Sequence, residues 1–159
     1  MTDSKEVDIQ AGYETMQNML MGLLTGGHMV EQVFGVLDAI MTISYEKFII
    51  DEEMLSRAIR ICEGVDTSEG EMSLDVIKET GPGGSYLTHP DTFKRFKNQW
   101  LPTVSCWTSY DKWESSGKQS VMERANKKYK QILETRPEMM ISKSLDRDLT
   151  AFLKKVKGM

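Results

Sequence analysis

The segment Glu79-Thr-Gly-Pro-Gly-Gly-Ser-Tyr-Leu-Thr-His-Pro-Asp-Thr-Phe-Lys-Arg-Phe96 decides how this chain is organised. It combines a turn, a glycine pair, an aromatic residue, a histidine and the start of a new helix. Pro82 restricts its own φ angle, while Gly83 and Gly84 can adopt backbone angles that other residues avoid. Such a segment brings the backbone close to a ligand or to a neighbouring element. A plain connection between two helices is the simpler interpretation, because glycine and proline are common turn residues.

Helical periodicity dominates on both sides of this segment. Apolar residues recur at helical spacing in residues 11–24, and Gly26 and Gly27 end that helix. Ser44 can cap a long helix that runs to about Glu63. We expect its inward face to carry Phe48, Leu55, Ile59 and Cys62. A shorter helix through Lys78 is predicted to start at Ser73 or Thr67, and further helices are predicted at residues 92–100, 109–113, 119–133 and 144–157.

Residues 28–34 are the best strand candidate, since they include Val30, Val33 and Phe34. A helix that ends in two glycines and leads into a short strand is typical of an αβ step in a barrel. Glu31 and Gln32 would need solvent, a partner or a ligand, and strand alternation should point one of them into the barrel. An open edge on this strand predicts self-association or binding of a complementary N-terminal fragment. Val33→Lys should reduce this association more than a change at Val156, which the C-terminal helix can bury locally.

Composition and motifs exclude several classes of protein. The net charge of −4 and the pI of about 5.3 argue against nucleic-acid binding, and no apolar run is long enough for a membrane span. The first residues lack the features of a signal peptide, so a cytoplasmic location and free Cys62 and Cys106 thiols are expected, with Cys62 buried. The two histidines are too far apart in sequence to suggest a metal site. The sequence also contains no catalytic triad pattern, P-loop or dinucleotide fingerprint.

The glycine-rich segment resembles the C-terminal part of the trimethylamine methyltransferase family, which includes pyrrolysine-containing enzymes and relatives that demethylate quaternary amines. The shared pattern runs from Gly81-Pro-Gly-Gly84 through an aromatic residue and Leu87 to Thr92 and Phe96. Other stretches match in the same order along the chain: Asp3-Ser-Lys5 with Gln10-Ala-Gly-Tyr-Glu14, Ser44-Tyr-Glu46 with Asp51-Glu-Glu53, Ser109-Tyr110 with Trp113, and Glu123-Arg-Ala125.

The resemblance implies an α/β fold, the TIM (β/α)8 barrel, which needs ~250 residues. With 159 residues, this chain would supply only the C-terminal strand–helix units of a partial barrel in residues 1–98 and a C-terminal helical extension in residues 99–159. We therefore expect a helix-rich chain with one or two short strands. The pyrrolysine of the trimethylamine enzymes would lie upstream of Met1, so we hypothesise a reading frame begun after an amber codon. Upstream DNA without a continuing frame would refute this hypothesis.

The resemblance also implies methyl transfer from trimethylamine or a related methylated or quaternary amine to a Co(I) corrinoid. No cofactor would be bound directly, because a partner corrinoid protein would carry it. This chain alone should be inactive and should need an upstream N-terminal segment or form a homo-oligomer. The alternative is a non-catalytic helical interaction domain derived from the same family.

Candidate substrate- or corrinoid-facing residues follow the predicted strands and the glycine pair, and no catalytic residue or metal ligand is assigned. Asp38 could instead cap the next helix, and His89 could simply shape a turn. The candidates are Asp3, Lys5, Gln10, Glu31, Gln32, Asp38, Gly83, Gly84, Tyr86 and His89.

Overall fold

The computed structural model describes residues 2–135 and 140–158. Its internal packing divides the chain into two compact units, residues 1–129 and 130–159. The resemblance implies a boundary after residue 98, between the barrel units and the helical extension. That boundary belongs to the longer barrel and stays a prediction.

Helices make up most of the described residues. They are α1 (Ile9–Leu24), α2 (Tyr45–Cys62), α3 (Glu69–Met72), α4 (Leu74–Thr80), α5 (Pro90–Arg95), α6 (Tyr110–Ser115), α7 (Val121–Glu134) and α8 (Lys143–Lys157). Short 3-10 turns occupy Asp38–Ile40 and Phe96–Asn98. The strands are β1 (Val36–Leu37) and β2 (Thr42–Ile43). The expected helix-rich chain with two short strands is confirmed, and these elements are compatible with part of an α/β fold without forming a barrel in the described residues.

The strand predicted at residues 28–34 is wrong. That segment has no regular structure, and the strands lie later, as an antiparallel hairpin that pairs Val36 with Ile43 and Leu37 with Thr42. Gln32 has a φ of +54°, which interrupts an extended run. Glu31 and Gln32 are exposed, so neither points inward as the strand alternation predicted. The expected association through the edge of this strand loses its structural basis.

Helix α2 is the centre of the first unit, and it packs against α1. Its N-terminus begins at the predicted cap, because the Ser44 hydroxyl accepts a hydrogen bond from the Lys47 N–H at 3.2 Å. The predicted inward face is wrong, since Phe48, Ile59 and Cys62 are exposed. The buried side chains of α2 are instead Lys47, Ile49, Asp51, Glu53 and Ala58.

Charged residues occupy this buried face because each has a specific partner. The Glu53 carboxylate accepts hydrogen bonds from the backbone N–H groups of Thr103, Val104 and Ser105, at 2.6, 2.6 and 3.2 Å. The Arg57 side chain donates to the same carboxylate at 3.1 Å. These contacts attach the chain after Trp100 to the middle of α2.

Trp100 fixes the same segment one turn farther along α2. Its indole Nε1–H donates to the Ser56 hydroxyl at 2.7 Å, and the Arg57 guanidinium lies 4.3 Å from the centre of the ring. Trp107 stacks at a tilt on Trp100, with ring centres 5.5 Å apart. The Trp100–Trp107 cluster therefore packs on α2.

The apolar core is small. Ile49, Val104 and Ala125 are buried together, and Ile50, Val121 and Tyr129 pack around them. Ile9, Val65 and Leu87 are each at least 86% exposed. Apolar surface of this extent is typical of faces that another chain or segment covers.

The glycine-rich segment connects α4 to α5. Gly83 has a φ of +76°, and a Cβ on Gly84 would lie 2.1 Å from the carbonyl oxygen of Thr80, the last residue of α4. The close approach inferred from the sequence is therefore made to a neighbouring element. His89 shapes the turn as the alternative interpretation stated, because its Nδ1 accepts a hydrogen bond from the Asp91 N–H at 3.1 Å.

Gly84→Ala should lower the free energy of unfolding by about 1–3 kcal/mol, since the added methyl group forces the backbone away from Thr80. Gly12→Ala is the matched control, because no atom lies within 4 Å of the added Cβ inside α1. The control should gain about 0.5–1 kcal/mol of stability. Urea unfolding followed by circular dichroism measures both changes, and equal effects would contradict the close approach.

Candidate functional site

The N-terminal segment lies against the turn that follows β1. The Asp38 N–H donates to the Ser4 carbonyl at 2.9 Å, and the Ala39 N–H donates to the Thr2 carbonyl at 3.2 Å. Thr2 and Ser4 are buried. Two distant parts of the sequence therefore form one backbone-paired layer, which we call the N-terminal cluster: residues 2–8, Gln10, Glu14 and Asp38–Ile40.

Three predicted site residues meet in the N-terminal cluster. The Lys5 ammonium forms an ion pair with the Asp38 carboxylate at 3.0 Å and donates to the Asp3 carbonyl at 2.7 Å. Lys5 is largely exposed and Asp38 is partly exposed. An exposed pair of this kind adds little stability, so its importance lies in fixing the position of the two charges.

Gln10 joins the same cluster through Glu14, a residue that was not among the predicted candidates. The Glu14 carboxylate accepts hydrogen bonds from the Thr2 hydroxyl at 2.6 Å, the Asp3 N–H at 3.0 Å and the Gln10 side-chain amide at 2.9 Å. The bonds from Thr2 and Gln10 hold the pKa of Glu14 below its usual range. Glu14 therefore stays negatively charged at neutral pH, and its i,i+4 spacing from Gln10 was the signal that could have identified it.

Backbone strain marks the hairpin side of the cluster. Asp38, Ala39 and Ile40 have φ angles of +48°, +46° and +83°, in the region that favours glycine. A non-glycine residue held there costs about 1–3 kcal/mol, and such strain concentrates at functional sites. Asp38 does not cap the next α-helix, as one interpretation of the sequence proposed, since Ser44 is that cap and Asp38 pairs with Lys5.

A buried ion pair contacts the backbone directly before the hairpin. The Lys47 ammonium lies 2.6 Å from the Asp51 carboxylate, with side-chain exposures of 1% and 0%, and it donates to the Thr15 hydroxyl at 3.0 Å. Asp51 also accepts the Gly35 N–H at 2.8 Å. Burial raises the pKa of Asp51, and the adjacent Lys47 opposes that rise. This pair links α1, α2 and the residue before β1, and the helical pattern of α2 gave no indication of it.

The remaining predicted residues lie elsewhere in the first unit. The described hydrogen bonds of Gly84 and His89 stay within residues 79–93, and His89 Nε2 lies 3.3 Å from Glu79. Tyr86 borders an open cavity of about 670 Å³ that Arg95, Phe96 and Trp100 also line. Glu31 and Gln32 are exposed. The structure thus brings together Asp3, Lys5, Gln10 and Asp38 and leaves the other six candidates outside the cluster.

The chemistry that the cluster offers is electrostatic. It presents fixed carboxylates and one ammonium group. The Thr2 and Ser4 hydroxyl groups donate to Glu14 and Asp8, and the lowered pKa values of these two carboxyl groups make them weak general bases. Among residues 2–135 and 140–158, no group of His, Cys, Asp and Glu side chains could hold a metal ion. Over the same residues, no helix has both the length and the apolar character that crossing a membrane requires. The arrangement suits the positioning of a charged molecule.

Comparisons with known proteins agree on one family. The family model of trimethylamine methyltransferase matches residues 1–159. A glycine betaine methyltransferase of Desulfitobacterium hafniense is 37% identical over 96% of this chain and 32% of its own length. A trimethylamine methyltransferase of Methanosarcina thermophila is 27% identical over 94% of this chain and 31% of its own length.

A third relative carries the name proline betaine:corrinoid methyltransferase, from Eubacterium limosum, and is 35% identical over 63% of this chain and 21% of its own length. The chain spans about a third of the length of the curated relatives it matches, in their C-terminal portion. The order of motifs, the helix-rich architecture and the match along residues 1–159 agree, and the chain belongs to the trimethylamine methyltransferase family.

Proposed function

We propose that this chain forms the C-terminal portion of a methyltransferase that takes a methyl group from a methylated or quaternary amine. The match to the family along residues 1–159 carries this proposal. The names of the relatives support a substrate among glycine betaine, trimethylamine and proline betaine. A Co(I) corrinoid on a partner protein would supply the nucleophile that accepts the methyl group.

The N-terminal cluster is the part of the chain that we propose to serve the reaction. A methylated amine that carries a positive charge is attracted to carboxylates, and Glu14 stays ionised at neutral pH. The Lys5–Asp38 ion pair and the hydrogen bonds that Asp38 and Ala39 donate to the Ser4 and Thr2 carbonyl groups hold the strained turn in one position. The cluster would therefore orient a cationic substrate or the segment that binds it.

A helical interaction domain is the second candidate function. The exposed apolar side chains on the first unit favour it, because such faces bind other chains without any catalysis. The two functions differ in one observable property, since only the first requires methyl transfer when the missing part of the fold is supplied.

We expect no methyl transfer from glycine betaine or trimethylamine to a Co(I) corrinoid protein by this chain alone. Activity should appear when the chain is combined with a separate polypeptide that carries the preceding part of the D. hafniense relative. Loss of the Co(I) absorbance measures the reaction. Methylation by the chain alone would contradict the expected inactivity, whereas a stable but inactive complex would favour the interaction domain.

Asp38→Asn should reduce the activity of the combined chains by about tenfold or more, since it removes the ion pair that positions the turn. Asp75→Asn is the matched control, because Asp75 pairs with Lys78 on exposed α4. Equal activity of the two variants would exclude the N-terminal cluster from the reaction.

A further inference from the structure

Helix α8 carries an apolar seam with the spacing of a coiled coil. Leu145, Leu149, Phe152 and Val156 follow one another at intervals of four, three and four residues, which is the a/d pattern of a heptad repeat. All four side chains are between 46 and 63% exposed, so Val156 is not buried locally as the sequence suggested. The seam lies entirely in the second unit, and about half of its apolar surface stays exposed among residues 130–135 and 140–158.

The helix itself is well defined at both ends. The Ser142 hydroxyl accepts a hydrogen bond from the Leu145 N–H at 3.3 Å. Three lysines lie in the last turn, where their positive charges interact favourably with the negative end of the helix dipole: Lys154, Lys155 and Lys157. A helix of this length is marginally stable alone in water, so packing of its apolar seam is the natural source of its stability.

The flanking charges indicate what covers the seam. With Leu149 and Val156 at a positions, Asp148 and Lys155 both occupy g positions. Neither takes part in an ion pair within the described residues. Two antiparallel helices bring g positions together, so Asp148 of each helix would face Lys155 of the other. Parallel helices would instead place Asp148 opposite Leu153.

We propose that α8 pairs with α8 of a second copy of this chain as an antiparallel two-helix coiled coil. The pairing sets Leu145 against Val156 and Leu149 against Phe152 in each half of the seam. It also sets Asp148 of each helix beside the lysine-rich last turn of the other. Two heptads bury little area, so the dimer dissociates at low concentration.

Disulfide formation tests the direction of pairing in the full chain. Cys62 and Cys106 are exposed and are first replaced by Ser. Leu145→Cys and Val156→Cys chains are then mixed and oxidised gently. The proposal expects disulfides between the two different variants and few within either one. Disulfides between identical positions would show parallel pairing, and the absence of any α8 disulfide would equally overturn the proposal.

Charge reversal tests the register. Asp148→Lys or Lys155→Asp alone should weaken the dimer about tenfold, because each change places like charges together at two symmetric sites. The two single variants mixed together should form a heterodimer of normal affinity, and so should the double variant with itself. Lys154→Asp is the control, because its f position faces away from the seam.

Analytical ultracentrifugation over a range of concentrations measures these affinities, and circular dichroism checks that each variant keeps its helix content. Equal weakening by the control, or no rescue in the mixture, would overturn the proposal. Binding to vesicles of phosphatidylserine and phosphatidylcholine without any dimer would assign the basic helix to a membrane surface, and this result would overturn it as well.

Discussion

Lys47→Met should lower the free energy of unfolding by about 3–5 kcal/mol, the usual cost of leaving one partner of a buried ion pair uncompensated. Lys47 and Asp51 are almost completely excluded from solvent, and their charged atoms lie 2.6 Å apart. Without Lys47, Asp51 keeps only the Gly35 N–H as a described hydrogen-bond donor. Chemical unfolding monitored by circular dichroism measures the change.

The pH dependence of the Lys47→Met variant provides an internal check. Burial raises the pKa of Asp51, and removing Lys47 removes the group that opposes the rise. A carboxyl whose pKa is higher in the folded state binds protons more tightly there, so the variant should recover stability as the pH falls.

Two further variants separate charge from packing in this prediction. Asp51→Asn in the Lys47→Met background should recover part of the loss, because the amide oxygen can still accept from Gly35 without a buried charge. Lys128→Met should have an effect below about 1 kcal/mol, since Lys128 and its partner Glu52 are both partly exposed. A similar loss in Lys47→Met and Lys128→Met would contradict the stated role of the buried pair.

Glu53→Gln should cost about 2–4 kcal/mol, because an amide replaces a carboxylate that accepts hydrogen bonds from three successive backbone N–H groups. Burial alone would raise the pKa of Glu53. The hydrogen bonds from Ser105 and Val104 outweigh it, however, and lower the pKa from 4.5 to about 2.

The depressed pKa of Glu53 sets the direction of its pH dependence. Its contribution to stability, about 2–3 kcal/mol, is fully present above pH 4.5 and is lost as the pH falls toward 2. Glu53→Gln should therefore remove part of the acid sensitivity of the wild-type chain. Glu52→Gln, one residue away and exposed, should leave the acid sensitivity unchanged, and a similar change in both variants would refute the assignment to Glu53.

Local signals in the sequence located most of the helices, although the helix predicted at residues 92–100 ends at Arg95 and continues only as a 3-10 turn. The Ser44 cap, the start of α8 near Ser144 and the connection around Gly83 and Gly84 all depend on neighbouring residues, and the structure confirms them. The candidates Asp3, Lys5 and Asp38 were chosen one by one from their positions. Their meeting depends on backbone pairing between residues 2–4 and 38–39, which no local pattern encodes.

The errors share one cause, since in each case long-range pairing overrides the local pattern. Residues 28–34 look like a strand by composition, but Gln32 adopts a left-handed conformation and the pairing begins only at Val36. The apolar stripe of α2 predicted Phe48 and Ile59 as buried, whereas charged residues occupy the buried face. Glu53 is buried because its hydrogen-bond donors lie about 50 residues later in the chain, and helical periodicity contains no information about them.

The attachment of Trp100 to Ser56 has a consequence for how the length of this protein can vary. The chain leaves α2 after Cys62 and contacts the same helix again at Trp100, so residues 63–99 form a long loop. The Trp100–Ser56 hydrogen bond and the contacts of Glu53 with Thr103 close the base of this loop. The entropy of closing such a loop grows slowly, by only about 0.6 kcal/mol for a doubling of its length. Insertions or deletions in residues 63–68, which are exposed and lie outside the shared pattern of Gly81 to Phe96, can thus change the length of this loop while its base keeps its geometry.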